Sequence, residues 1–139
     1  MNLEDPLRAV TATASSALRA QGERMRTVSE NVANAFSTGS EPGKTPYQRK
    51  MVSFESGVDP RTNAAIVQIG EITRDETAFI TRYEPSHPAA DENGFVKYPN
   101  VNPLLEMSNM REATRSYEAN LTMLNNAREM RSALIDLLK

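Results

Sequence analysis

The residues best suited to chemistry lie in the segment from Pro85 to Glu92, which contains the single histidine of the chain. His87 stands four and five residues before Asp91 and Glu92, and nitrogen and oxygen atoms of this kind can bind a divalent ion. Two prolines make the segment a loop, so no helical spacing places the three side chains on one face. We therefore favour an exposed turn and expect no metal site and no cofactor.

Other patterns give no better indication of catalysis. Ser86 directly precedes His87, but neighbours in sequence are not thereby aligned, and no third group is indicated to orient them. The adjacent carboxylates Asp75 and Glu76 lie in a polar segment where neither needs to lose its water. Glycine-rich phosphate loops are absent from the sequence. We expect no catalytic residues and no enzymatic activity, with a metal-dependent hydrolase around His87 as an alternative.

Composition limits the partners. The 139 residues carry a formal net charge of -2 and no cysteine, which excludes disulfides and thiolate metal sites and gives no general attraction to nucleic acid. Apolar stretches such as 64–67 are far shorter than the ~20 residues that span a bilayer. The first five residues lack the basic start of a cleavable signal peptide. We expect no nucleic-acid partner, no membrane insertion and no cleavable signal.

The distribution of helix breakers predicts the fold class. Seven of the eight prolines and five of the six glycines lie between residues 39 and 103. This indicates an α+β protein with an N-terminal helix in 1–38, a small β-rich insert in 39–102 and a C-terminal helix in 103–139. Within the insert, alternating apolar residues predict four strands, at Tyr47–Glu55, Ala64–Thr73, Thr77–Tyr83 and Phe95–Tyr98. Asn93-Gly94 predicts a type I′ hairpin turn.

The flanking helices carry stripes with alternating spacings of three and four residues, which predicts a coiled-coil-like pair. Asp5-Pro6 and Asn102-Pro103 are the start signals, and Ser37 to Gly39 end the first helix. The first stripe contains Leu7, Ala14, Leu18, Met25, Val28, Val32 and Ala35. The second contains Met107, Met110, Ala113, Tyr117, Asn120, Leu124, Ala127, Leu134 and Leu137, with Met130 or Arg131 between the last pairs. Because such small residues bury little area, we infer that the helices are completed only in an assembly, with an antiparallel pair within one chain as the alternative.

Four segments resemble a known family. Ser29–Ala35 resembles the S-x-N-[IV]-A-N signature of flagellar axial proteins, and Arg115–Asn120 resembles their R-x-Y-E-A-N element. Tyr83–Val96 with Tyr98–Asn102 is similar to the segment typical of the C-type basal-body rod proteins, and Pro46–Lys50 is similar to the first insert strand of that family. The four motifs occur in the family's order and extend over nearly the whole chain.

The resemblance implies a structural subunit of the proximal rod, the torque-transmitting shaft that crosses the bacterial periplasm. It implies as partners further copies of the chain, the B, F and G types of rod protein, the surrounding basal-body rings and the flagellar type III export apparatus. A soluble coiled-coil adaptor and another axial protein of the rod or hook are the alternatives.

The stripes and the family pattern together define a predicted assembly seam. The family pattern places Asn31, Asn34, Tyr117, Glu118 and Asn120 in the packed inner layer, where the asparagines are expected to bond between helices. Ordinary helix capping is the alternative for the asparagines. The stripes contribute Leu18, Met25, Val28, Val32, Met110, Leu124 and Leu134. The arginines of both helices fit either a solvated face or ion pairs between subunits.

Overall fold

A computed structural model describes residues 4–137, with side chains from Pro6 onward. Along the chain, two long helices precede and follow four strands. This order confirms the predicted α+β class with a β-rich insert. The elements are α1 (Glu4–Ala33), β1 (Lys50–Val58), β2 (Ala65–Arg74), β3 (Ile80–Tyr83), β4 (Phe95–Tyr98) and α2 (Pro103–Leu137). β1 pairs with β2, and β3 pairs with β4 in a second two-stranded sheet.

Asn102 fixes the start of α2, as its start signal predicts. Its Oδ1 accepts hydrogen bonds from the backbone N–H groups of Leu104 at 3.1 Å and Leu105 at 3.4 Å. Pro103 follows as the first helical residue, where its missing N–H leaves no bond unmade. α2 therefore begins at the predicted residue.

The end of α1 differs from the prediction. Regular helix stops at Ala33, before the segment 37–39 that the sequence indicates. The Nδ2 group of Asn34 donates to the Glu30 carbonyl at 2.9 Å, and the Ser37 hydroxyl donates to Asn34 Oδ1 at 3.2 Å. Such local bonds from short polar side chains compete with helix continuation, so α1 ends early. At its other end α1 begins at Glu4, one residue before the predicted cap Asp5, whose side chain lies outside those described.

β1 begins three residues later than predicted. The backbone N–H of Tyr47 donates to the Ser37 carbonyl at 3.4 Å, and that of Arg49 donates to Asn100 Oδ1 at 2.9 Å. These residues are extended but bond to loops, so regular pairing starts at Lys50. β3 also begins three residues later than predicted, at Ile80, whereas β4 covers the predicted residues.

The predicted type I′ turn at Asn93-Gly94 is wrong. Gly94 has a φ of +81°, but Asn93 is not among the described residues with positive φ. Gly94 N–H donates to the Asp91 carbonyl at 2.9 Å, and Asp91 Oδ1 accepts from the N–H groups of Asn93 and Phe95. Because the aspartate side chain satisfies the turn, only its last residue needs the left-handed conformation.

The chain divides into two compact units. The first unit comprises Met1–Met25, Ser53–Glu71 and Arg111–Lys139, and the second comprises Arg26–Val52 and Ile72–Met110. Both cores are made mainly of small side chains, in keeping with the small residues of the two stripes. The buried apolar residues are Ala14, Ala20, Ala64, Ala113, Leu124 and Ala127 in the first unit, and Val28, Ala35, Ala89, Val96 and Val101 in the second. The three-part division of the chain stays a prediction.

Candidate functional site

The second unit is organised around a buried carboxylate in the first turn of α2. Glu106 is fully buried; its Oε1 accepts from Arg49 Nε at 2.7 Å and its Oε2 accepts from Asn31 Nδ2 at 3.1 Å. Arg49 also contacts Asp75 Oδ2 through Nη1 at 3.3 Å. Since a buried charge without a partner is very costly, these contacts fix α2, α1 and the start of β1 in one register.

Asn31, on α1, is saturated by the same cluster. Its Nδ2 donates to the Lys50 carbonyl at 2.8 Å as well as to Glu106, and its Oδ1 accepts from the Tyr47 hydroxyl at 2.8 Å and from Lys50 N–H at 2.9 Å. Only 1% of this residue is exposed. The predicted bond between helices is therefore present at Asn31, within one chain. We call Asn31, Tyr47, Arg49, Asp75 and Glu106 the polar cluster.

The pKa shifts in the polar cluster indicate a structural role. Burial raises the pKa of Tyr47, and the nearby Glu30 and Glu106 raise it further, so the phenol stays neutral. Hydrogen bonds from the backbone and side chain of Thr77 lower the pKa of Asp75. Burial works against the charge of Arg49, but the hydrogen bonds and charges of Glu106 and Asp75 together outweigh it and raise the pKa of the guanidinium. Every charge thus has a fixed partner.

In the first unit, α1 and α2 run antiparallel. Arg24 forms a two-pronged contact with Glu112, with Nη–Oε distances of 3.3 and 3.2 Å. At the other end, Leu7 and Arg131 line one groove. The pair within one chain, left as an alternative by the sequence, is therefore present. β2 docks on α1 through hydroxyls: Thr13 donates to the Ala65 carbonyl at 2.7 Å, and Ser16 Oγ accepts from Val67 N–H at 3.0 Å.

The predicted assembly seam is directed mainly inward in the single chain. Three of its members are buried (Val28, Asn31 and Leu124), eight are half-buried (Leu18, Met25, Val32, Asn34, Met110, Tyr117, Asn120 and Leu134), and Glu118 is exposed. Asn34 and Asn120 bond to carbonyls of their own helices, at Glu30 and Ser116, as in the capping alternative. The part of the seam in contacts between subunits stays a prediction.

Two stripe residues are corrected by the structure. Met107 and Leu137 were predicted to face inward, but they are 55% and 83% exposed. Both lie toward the ends of α2, where a straight helix drifts away from a repeat of exactly seven residues because it has 3.6 residues per turn. The inward stripe is therefore limited to the middle of α2.

A second row on α2, which we call the exposed row, was not predicted. One of its members, Met130, was predicted as a possible residue of the inward stripe, but it is 59% exposed. The members of the exposed row alternate in spacings of four and three residues and are all exposed: Ala119, Met123, Asn126, Met130, Ala133 and Leu137. The seven-residue spacing of Met123, Met130 and Leu137 was the available signal. It was masked because the neighbouring inward stripe has the same period. The polar cluster was missed too, since its members are far apart in sequence.

His87 takes part in a local turn. Its Nδ1 accepts from Ala89 N–H at 3.1 Å, and its backbone N–H donates to the Glu84 carbonyl at 3.0 Å. Within residues 4–137, no three histidine, cysteine or acidic side chains come together in a way that could hold a metal ion. Neither described helix combines the length and the apolar character needed to cross a membrane.

Comparison with known proteins identifies the class. The family described as "Flagella basal body rod protein" matches residues 12–39, and "Flagellar basal body rod FlgEFG protein C-terminal" matches residues 92–137. These matches cover much of α1 and nearly all of α2, the two helices that pair in the structure. The class is thus that of flagellar basal-body rod proteins, as the resemblance implies.

Individual relatives narrow the family. The chain is 49% identical to the flagellar basal-body rod protein FlgC of Agrobacterium fabrum over 135 residues, which is 97% of each chain. It is 38% identical to FlgC of Salmonella typhimurium over 84% of this chain and 87% of that one, and 39% identical to FlgC of Bacillus subtilis over 83% and 87%. The chain belongs to the FlgC family of flagellar basal-body rod proteins. This membership confirms the predicted structural role in the rod.

Proposed function

We propose that this chain polymerises through its terminal helices into the proximal rod, in contact with further copies and with rod proteins of the B, F and G types. The observation that carries the proposal is the exposed row on α2. Met123, Met130 and Leu137 expose 56%, 59% and 83% of their surface at seven-residue spacing. A helix with this second apolar row, beside an inward stripe, is suited to contact another helix.

The chemistry of the exposed row suits a neighbour that is related but not identical. Methionine side chains are unbranched and adapt to differently shaped surfaces, while Ala119 and Ala133 allow a close approach between helices. Burying an apolar side chain contributes roughly 1.5–3 kcal/mol, so three such residues supply a substantial contact. A contact that joins different faces of successive subunits produces a filament when its rotation does not close into a ring.

The same features agree with a structural role in the periplasm without catalysis or cofactor. The thin cores of both units, made mainly of alanine and valine, leave little stability to overcome, which suits passage in an unfolded state through the flagellar type III export apparatus. The β-rich insert would face outward, toward neighbouring rod subunits and the surrounding rings. The predicted seam residues would complete the inner layer of the shaft.

Met130→Asp tests the proposal. Leu124→Asp is a poorer test, because Leu124 is buried in the first unit and its replacement would damage the chain's own core. Met130 is exposed, so we expect Met130→Asp to leave the circular dichroism spectrum and thermal midpoint nearly unchanged while motility and incorporation into isolated basal bodies are lost.

Ser108→Asp is the matched control, since it adds the same charge at an exposed position on the same helix outside the exposed row. We expect that variant to remain motile. Normal incorporation of Met130→Asp would contradict the proposal. A stable soluble oligomer of fixed size, with no chain in the basal body, would favour the coiled-coil adaptor instead.

A further inference from the structure

A groove of about 380 Å³ lies within the first unit, between the first half of α1 and the loop that joins β1 to β2. Four guanidinium groups line it, and a single carboxylate accompanies them. The arginines are Arg8, Arg19, Arg61 and Arg131, and the carboxylate is Asp59. The groove is therefore strongly cationic on a chain whose net charge is -2, and we call it the arginine groove.

The carboxylate inside the arginine groove does not neutralise it. Asp59 Oδ1 accepts a hydrogen bond from the backbone N–H of Arg61 at 2.8 Å, while the Arg61 Nε is 3.9 Å away. No described carboxylate lies within 4.0 Å of Arg19 or Arg131. Thr62, in the groove wall, has a buried hydroxyl oxygen without a hydrogen-bond partner among the described residues. The guanidinium groups of Arg19 and Arg131 and the hydroxyl oxygen of Thr62 are therefore available to a ligand.

A matching acidic surface occurs on α2 of the same chain. Its members are all exposed, follow spacings of four and three residues and include three carboxylates: Glu118, Thr122, Asn125, Glu129, Ser132 and Asp136. We call this surface the acidic ridge. It precedes the exposed row by one residue at every position, which is about 100° around the helix. The two surfaces therefore flank each other along α2.

The spacing of the charges matches as well as their sign. Arg8 and Arg19 are eleven residues apart on α1, and Glu118 and Glu129 are eleven residues apart on α2. Eleven residues of helix rise about 16.5 Å and complete nearly three turns, so each pair lies along one side of its helix. An α2 helix laid along the arginine groove can therefore align two carboxylates with two guanidinium groups. Arg8 has a contact within its own chain as well, but a guanidinium has five N–H donors and can bind a further carboxylate.

We propose that the arginine groove of one copy binds the acidic ridge of a second copy. This inference rests on the proposed polymerisation and names a contact within it. The groove and the ridge are different surfaces, so each copy offers a groove to one neighbour and a ridge to another. Such a head-to-tail contact extends without closing and gives a direction to the row of subunits.

Directed disulfide formation tests the contact, because the chain contains no cysteine to interfere. Ser15, which lines the groove, becomes Cys in one variant, and Asn125 on the ridge becomes Cys in the other. Cells produce both variants, their basal bodies are isolated and oxidised, and linked chains are identified by mass spectrometry. We expect a disulfide between the two variants. Asn126→Cys is the matched control, since it replaces the same residue type one position away, and we expect at least a tenfold lower yield.

Charge reversal gives a second measurement. We expect Arg19→Glu and Glu129→Arg each to reduce incorporation into basal bodies at least tenfold, and their combination in one chain to restore most of it. Arg128→Glu is the control on α2, because Arg128 does not line the groove although Arg131 does. If Ser15→Cys is not incorporated, Thr11→Cys probes the same groove one turn earlier.

The outcomes separate this contact from polymerisation itself. Incorporation of both cysteine variants without a Ser15–Asn125 disulfide would overturn the contact and leave the proposed rod subunit intact. A disulfide between the Ser15→Cys variant and a different rod protein would show that the groove binds that protein and not a second copy of this chain. Absence of the unmodified chain from basal bodies would instead overturn the proposed function.

Discussion

The two compact units are stabilised by different kinds of contact. In the second unit, the polar cluster joins helix, strand and loop through directional bonds to buried atoms of Asn31 and Glu106. In the first unit, alanines form most of the buried contacts, while charged and apolar rows of α2 face outward. A polar network tolerates only one register, whereas small side chains allow close approach but specify little. Directional polar contacts therefore hold the second unit, whereas the first leaves charged and apolar rows of α2 exposed to solvent.

Glu106→Ala should break this comparison most strongly. It leaves Arg49 without its closest partner in a buried site, and we expect a loss of about 3–5 kcal/mol in the free energy of unfolding. Urea denaturation followed by circular dichroism measures it. Glu112→Ala is the control, because Glu112 pairs with Arg24 at the surface with 66% of its side chain exposed, and we expect its cost to stay below about 1 kcal/mol. Equal losses would show that the polar cluster has no special part in stability.

Leu124→Ala should have the next largest effect and reports on the first unit. Leu124 is 6% exposed and is the largest buried apolar side chain described in that core. We expect a cost of about 2–3 kcal/mol from lost burial and the remaining cavity. Leu121→Ala, three residues earlier and 40% exposed, should cost less than about 1 kcal/mol in the same urea titration. A cost for Leu124→Ala as small as that of Leu121→Ala would mean that the core of the first unit contributes little.

The smallest expected effect is the pH dependence of Asp75. Its pKa is lowered by the hydrogen bonds from Thr77, so its stabilising contribution is present above the ordinary value of about 3.9 and is lost as the pH falls through the lower, folded-state value. Asp75→Asn removes the charge, and we expect it to cost less than about 1 kcal/mol near neutral pH. The difference from the unsubstituted chain should shrink toward zero as the pH falls below the lowered pKa of Asp75. If the difference in the free energy of unfolding between the two chains does not change with pH, the effect of Asp75→Asn comes from the altered packing of the side chain and not from its charge.

The amino-acid sequence by itself determined the order of the elements and the family. Breakers concentrated in 39–103 separate helices from strands because proline and glycine act on the local backbone. Asn102 caps α2 because its Oδ1 accepts hydrogen bonds from the backbone N–H groups of Leu104 and Leu105. The middle of each stripe was predictable for the same reason, since helical period is a local property. The four family motifs indicated the rod proteins. The match to relatives over nearly the whole chain confirmed this family.

Only the tertiary structure decided which distant residues meet. The bond of Arg49 to Glu106 joins residues 57 positions apart, and nothing in either local sequence indicates the partner. Tertiary contacts also decided the start of β1, because Asn100 takes the N–H of Arg49 that a longer strand would have used. The same holds for the surfaces of α2: its period predicts several faces, but packing against α1 covers one of them. The exposed row and the acidic ridge are the faces left to solvent in the single chain, because a helix can bury only one side against a single partner helix.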